Sequence, residues 1–131
     1  MTKDAVLLIL ARCASFDQRT IGKADVEAWH LVIGYMTHAE AERAVVEHYS
    51  EESRRIWPAD IVRRVEERRN QWFAAHPDYG PDRPDVVPPW ATPEEWQAMW
   101  DRGEEMWRAG MTANRERIRE SMRRALGGTG A

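Results

Sequence analysis

The stretch from Thr37 to Glu52 constrains this chain more than any other. Its opening, Thr37-His38-Ala39-Glu40, has the capping-box pattern. The threonine oxygen can accept from the N–H three residues on, while the Glu40 carboxylate reaches back to the Thr37 N–H. Behind that cap Ala41, Ala44, Val45, His48 and Tyr49 recur at the spacing of one helix face, with Glu42, Arg43, Glu47 and Glu51 on the other. A helix with such a stripe must be covered. The flanking segments offer the cover. Val26, Trp29 and Ile33 make a second stripe that ends at Gly34, and Trp57-Pro58-Ala59-Asp60-Ile61 opens a further helix, where proline at the first position loses no hydrogen bond. Residues 24–61 therefore predict three short helices packed on one another.

Upstream, Lys3 to Phe16 predicts another helix with Thr2 as its cap. Val6, Ile9, Leu10, Cys13 and Phe16 share one side and Leu7 and Leu8 widen it, the pattern of a helix central in a bundle. Asp17 to Gly22 reads as a turn in which Gly22 supplies backbone freedom. Downstream, Pro58 to Ala75 carries Ile61, Val62, Val65, Trp72 and Phe73 on its apolar side, with Arg63, Arg64, Arg68 and Arg69 alternating with Glu66 and Glu67. Residues 1–75 thus read as a small four-helix bundle.

The texture changes at residues 76–91, HPDYGPDRPDVVPPWA. Five of these sixteen residues are proline, and no helical or strand period survives. This is the pattern of an extended linker and a domain boundary. Residues 92–127 resume helix. Thr92-Pro93-Glu94-Glu95 is a cap with proline at the first position, and Trp96, Met99, Trp100, Gly103 and Trp107 follow at helical spacing. Gly110-Met111-Thr112 marks a weak break, after which residues 113–126 are a last helix or a continuation. Residues 128–131 are expected to fray. The charge is uneven: Pro93 to Ala109 has two arginines against five acidic residues, and from Gly110 onwards there are five arginines against two glutamates. The expected fold class is all-α: bundle, proline-rich linker, amphipathic tryptophan-rich tail.

Composition excludes several kinds of function. No run of apolar residues approaches the roughly 20 needed to span a bilayer, Ala5–Ala11 being the longest. Met1-Thr2-Lys3-Asp4 lacks the basic start of a secretory signal. Cys13 is the only cysteine, so neither an intrachain disulfide nor a cysteine-rich zinc site can form. It reads as a small core residue rather than a nucleophile. Together these suit a reducing cytoplasm and point to no membrane partner. A net charge of −3 argues against coating nucleic acid by charge alone. Histidines 30, 38, 48 and 76 show no HExxH pattern; His48 and Glu52 could share a metal, but no second ligand pair supports them. Trp29-His30 reads as a core tryptophan beside a half-buried histidine. No P-loop, GxSxG or dinucleotide glycine motif is present, so no enzyme and no cofactor is expected.

Trp29-His30, Ala39-Glu40-Ala41, Ala44-Val45-Val46, His48-Tyr49 and Pro58-Ala59-Asp60-Ile61 together resemble the N-terminal domain of the phage and prophage helicase loader (loader-and-inhibitor) family. The likeness covers roughly residues 3–70; His38 stands where that family's pattern would have an aromatic, and the tail beyond Thr92 matches none of it. The resemblance implies a non-enzymatic adaptor in phage DNA replication. Its helical domain would contact an origin-bound replication initiator, and its C-terminal region a hexameric replicative DNA helicase, held inactive until delivery. On that reading Trp96, Met99, Trp100 and Trp107 form the helicase or partner-binding face, docked either on a partner or on the protein's own bundle. Arg54, Arg55, Arg63 and Arg64, around Trp57, are the candidate initiator or nucleic-acid contact. The alternatives are a nucleic-acid-binding accessory protein using those arginines, and a phage inhibitor of another host protein.

Overall fold

The computed structural model describes residues 1–127, with the backbone alone at 107–108 and 111–114. The end expected to fray, 128–131, lies outside the described residues. The fold is all-α. Among the described residues five helices run in order: α1 (Lys3–Asp17), α2 (Lys23–Ile33), α3 (His38–Glu51), α4 (Pro58–Ala75) and α5 (Pro93–Gly127). The chain divides into two compact units, Met1–Pro77 and Asp78–Ala131.

In the first unit α1 packs on α2 and α3, and α4 packs on α3 and α2. Each helix begins where the local chemistry says it should. Thr2 Oγ1 accepts from the Ala5 N–H at 3.1 Å. Asp25 accepts from the Gly22 N–H at 2.7 Å, and Asp60 from the Trp57 N–H at 2.9 Å. The Thr37–Glu40 box is closed in both directions, at 3.2 and 2.9 Å. Each such contact satisfies an N–H that the first turn leaves without a partner inside the helix.

The core is the sum of the four inner faces. Val6, Ile9, Leu10 and Cys13 from α1 meet Trp29 and Ile33 from α2, Ala41, Ala44 and Val45 from α3, and Ile61 and Val65 from α4. Two residues between helices, Met36 and Ile56, close its ends. Alanines at 41 and 44 leave α3 slim on its inner side.

Two expectations about α1 and its turn change. Leu7 and Leu8 are 45% and 61% exposed, so α1 is covered on one side only and is not central. An apolar residue beside a stripe gains cover only if a further helix lies there, and none of α2–α4 does. The backbone freedom assigned to Gly22 is used instead at Gln18, the C-cap of α1, whose φ of 57° lies in the left-handed region. This lets the Gln18 N–H return to the Ala14 carbonyl at 2.7 Å. Gly34 is needed for a different reason. A Cβ there would lie 2.5 Å from the His30 carbonyl oxygen, so the tight α2–α3 joint admits no side chain.

The second unit contains α5 and residues 78–91. α5 runs unbroken through Gly103 and Gly110. A glycine in an exposed helix costs about 1 kcal/mol relative to alanine, too little to interrupt a run of good helix formers. No described helix is long and apolar enough to cross a membrane.

Candidate functional site

Arg54, Arg63 and Arg64 are engaged within the first unit. Pro58 starts α4 and puts Asp60 in its first turn, where the carboxylate takes the Trp57 N–H. The same carboxylate accepts from Arg54 Nη2 at 2.6 Å and Nη1 at 3.1 Å, and from Arg63 Nη2 at 3.2 Å. Those bonds from Arg54, reinforced by the Trp57 N–H, outweigh partial burial and hold the Asp60 carboxyl down at about 2. Arg54 also meets Glu52 at 2.9 Å, and Arg64 meets Glu51 at 2.9 Å. Arg55 is exposed and forms no ion pair with a described residue. A phosphate approaching this surface would have to displace carboxylates already bound to three of the four guanidinium groups. Trp57 stands 55% exposed beside them.

His48 is fully buried, its Nε2 placed 2.8 Å from the Arg54 carbonyl oxygen. It therefore ties α3 to the α3–α4 connection. Its Nδ1 lies 3.5 Å from Glu52.

A further polar cluster carries no mark in the local sequence. Arg19, in the α1–α2 turn, clasps Asp17 with Nε and Nη2 at 2.9 and 2.6 Å and donates to the Ile56 carbonyl at 2.7 Å. Tyr49 donates to Asp17 and accepts from the Ile56 N–H at 3.0 Å. The Arg19 guanidinium sits over the rings of Trp29 and Trp57, 5.1 and 5.9 Å from their centroids. Burial opposes the Asp17 charge, but hydrogen bonds from Arg19 and Tyr49 win and bring it to about 2. On another side, Arg69 of α4 grips Glu40 of α3 with two bonds at 2.7 Å, and the Tyr35 hydroxyl donates to Glu66 at 2.6 Å. These clusters join segments some 30 residues apart, so no local spacing could have revealed them.

In the second unit the aromatic residues at the start of α5 have a partner that no local spacing marks. Trp96 is buried and Trp100 half-buried, their rings edge-to-face at 5.7 Å. Tyr79, from the proline-rich segment, lies 6.4 and 6.2 Å from those two rings. The segment itself is shaped by Arg83, which bridges Asp78 at 2.6 Å and Asp85 at 3.2 Å, and by the buried Pro88. Part of the expected linker thus belongs to the tail's own fold. Beside the aromatic pair opens a groove of about 490 Å³ bordered by Gly80, Pro84, Pro93, Gln97 and Asp101. The indole N–H of Trp100 is buried without an acceptor among the described residues. Met99 is 39% exposed. The side chain of Trp107, the fourth member of the expected face, lies outside the described residues.

Comparison of the chain with known protein families, with curated proteins and with solved structures finds no match.

Proposed function

We propose that the protein is a non-enzymatic adaptor of phage DNA replication, which binds a hexameric replicative helicase and delivers it to an origin marked by an initiator. The observation that carries this reading is the aromatic groove at the start of α5. It combines an edge-to-face tryptophan pair, the Trp100 indole N–H without an acceptor among the described residues and the exposed Met99, in a unit distinct from the well-closed bundle. Aromatic anchors on a helix are a common way to engage a partner's groove or chain segment. An adaptor needs a second contact region, and the exposed Trp57 with Arg55 offers one to an initiator. DNA contact is indirect or weak on this reading, because the neighbouring arginines already hold carboxylates.

Co-purification with the replicative helicase tests it. A Met99→Ser, Trp100→Ala double variant is expected to weaken capture by about 2 kcal/mol or more, roughly thirtyfold. The melting of the Met1–Pro77 unit should stay unchanged. A variant that captures the helicase as well as the parent chain would sink the assignment of this face. Duplex DNA should bind no more tightly than about 10⁻⁴–10⁻⁶ M at physiological salt. Nanomolar, sequence-selective binding would instead favour a nucleic-acid-binding accessory protein.

A further inference from the structure

Beyond the groove, every described residue of α5 from Asp101 to Gly127 is exposed. A bare helix gains from opposite charges three or four residues apart and loses from like charges four apart. The second half of α5 meets that preference only around Glu120, which Arg123 and Arg124 approach at 3.2 and 3.4 Å. Otherwise its rows at four-residue spacing are sorted by kind. Arg115, Arg119 and Arg123 make one row, Glu116 and Glu120 the next, and Ile118 and Met122 a third. Arg115, Arg117 and Arg119 form no ion pair with a described residue. Like charges in one row weaken a helix standing alone, so the sorting points to something outside it.

The order of the rows around the helix says what that is. At about 100° per residue, Ala125, Ile118 and Met122 fall within an arc of about 60°. All three are exposed, Ile118 by 51% and Met122 by 59%. Arg115 and Arg119 follow on one side of the arc and, past Ser121, Arg117 and Arg124 on the other. Glu116 and Glu120 lie opposite, within about 30° of the point farthest from the arc. A phospholipid surface with negative headgroups fits this order. The apolar arc enters the acyl boundary, the arginines lay their stems on it and raise their guanidinium groups to phosphate on both sides, and the glutamates stay in water. Nucleic acid would take the arginines but leave Ile118 and Met122 in water. A protein groove would need carboxylates on both lips, whereas a lipid surface carries phosphate in every direction. A helix in this mode lies in the headgroup plane and needs no spanning segment, so the short apolar runs that argued against a membrane partner do not bear on it.

We propose that residues 115–127 of α5 are a membrane-surface helix that binds anionic phospholipid. The proposal does not rest on the helicase reading, which uses the aromatic groove at the other end of the helix.

Co-sedimentation of the full chain with vesicles tests it. The parent chain is expected to bind vesicles of equimolar phosphatidylglycerol and phosphatidylcholine, to be released as salt rises, and to ignore phosphatidylcholine alone. Arg115→Gln, Arg119→Gln should weaken binding at least about tenfold, since each arginine near an anionic surface contributes to it. Ile118→Gln, Met122→Gln should weaken it as much, by at least about tenfold, through lost apolar burial. Glutamine is as good a helix former as arginine or methionine and better than isoleucine, so neither variant loses the helix for want of propensity. Glu116→Gln, on the water side, should bind at least as tightly as the parent. A parent chain that leaves anionic vesicles unbound overturns the proposal. So does equal binding to phosphatidylcholine alone, a ridge variant that binds as tightly as the parent, or a loss caused by Glu116→Gln. A single-stranded oligonucleotide that displaces the chain from vesicles, and that the ridge variant binds equally well, would assign the arginines to nucleic acid and overturn it too.

Discussion

The Met1–Pro77 bundle and the outer length of α5 obey the same periodicity with opposite results. In the bundle Val6, Ile9, Trp29, Ile33, Val45 and Ile61 are buried to within a few per cent. In α5 the ridge of Ile118, Met122 and Leu126 is more than half exposed. The difference lies in the neighbours. Each bundle helix packs on two others whose stripes meet its own, and the largely buried ion pairs Arg19–Asp17 and Arg69–Glu40 help to pin them. Among the described residues, the second unit has no other helix to lay against α5. An amphipathic stripe predicts that a helix will seek cover, and the comparison teaches that it does not say whose.

The sharpest way to test this contrast is a pair of truncations. Trp29→Ala should destabilise the bundle by about 3–5 kcal/mol, the range for removing a large aromatic from a packed core. Ile118→Ala should change the melt by less than about 0.5 kcal/mol, as surface substitutions do. Equal effects in thermal or denaturant melts would abolish the distinction between the two regions.

Next in size is the loss of Arg19. Arg19→Ala leaves Asp17, itself only 10% exposed, without its partner and should cost about 3 kcal/mol. An α5 counterpart such as Arg123→Ala removes only an exposed pair to Glu120 and should be near neutral.

Acid should reveal the same asymmetry. Asp17 and Asp60 both sit at about 2, below the ordinary 3.8. A depressed carboxyl contributes stability that is complete above its unfolded value and is lost as pH falls through its folded one. The bundle's melting temperature should therefore drop steeply between about pH 4 and pH 2, with about 2 kcal/mol from Asp17 alone. A flat profile across that window would show the Arg19–Tyr49 cluster to be loosely held.

The smallest effect is chemical. Burial pushes the Cys13 thiol up to about 11, so a thiol reagent at pH 8 should label it only as fast as the bundle opens. Labelling at the rate of a free thiol would mean that α1 detaches readily.

Helix positions were legible wherever a local device marks them. Thr2, the Thr37–Glu40 box, Pro58 and Pro93 each act within three residues, so their spacing carries the information. Trp29, Val45 and Ile61 were legible as core from periodicity alone. The candidate site was less so. Arg54, Arg55, Arg63 and Arg64 look alike in sequence, yet only Arg55 is without a carboxylate partner among the described residues. Trp96 and Trp100 were legible as a pair on one face, but their contact with Tyr79 was not, because a proline-rich segment announces no packing direction.

The sequence by itself determined that this chain is helical, where its helices start, and that charge reverses along the last of them. These are properties of neighbours within a turn or two, and chain geometry imposes them. Only the tertiary structure decided that Leu7 and Leu8 lie outside the core, that Arg19 and Asp17 join three segments, and which arginines are already occupied. Those outcomes depend on residues some 30 positions apart meeting in space, and no local period encodes which stripe will find which.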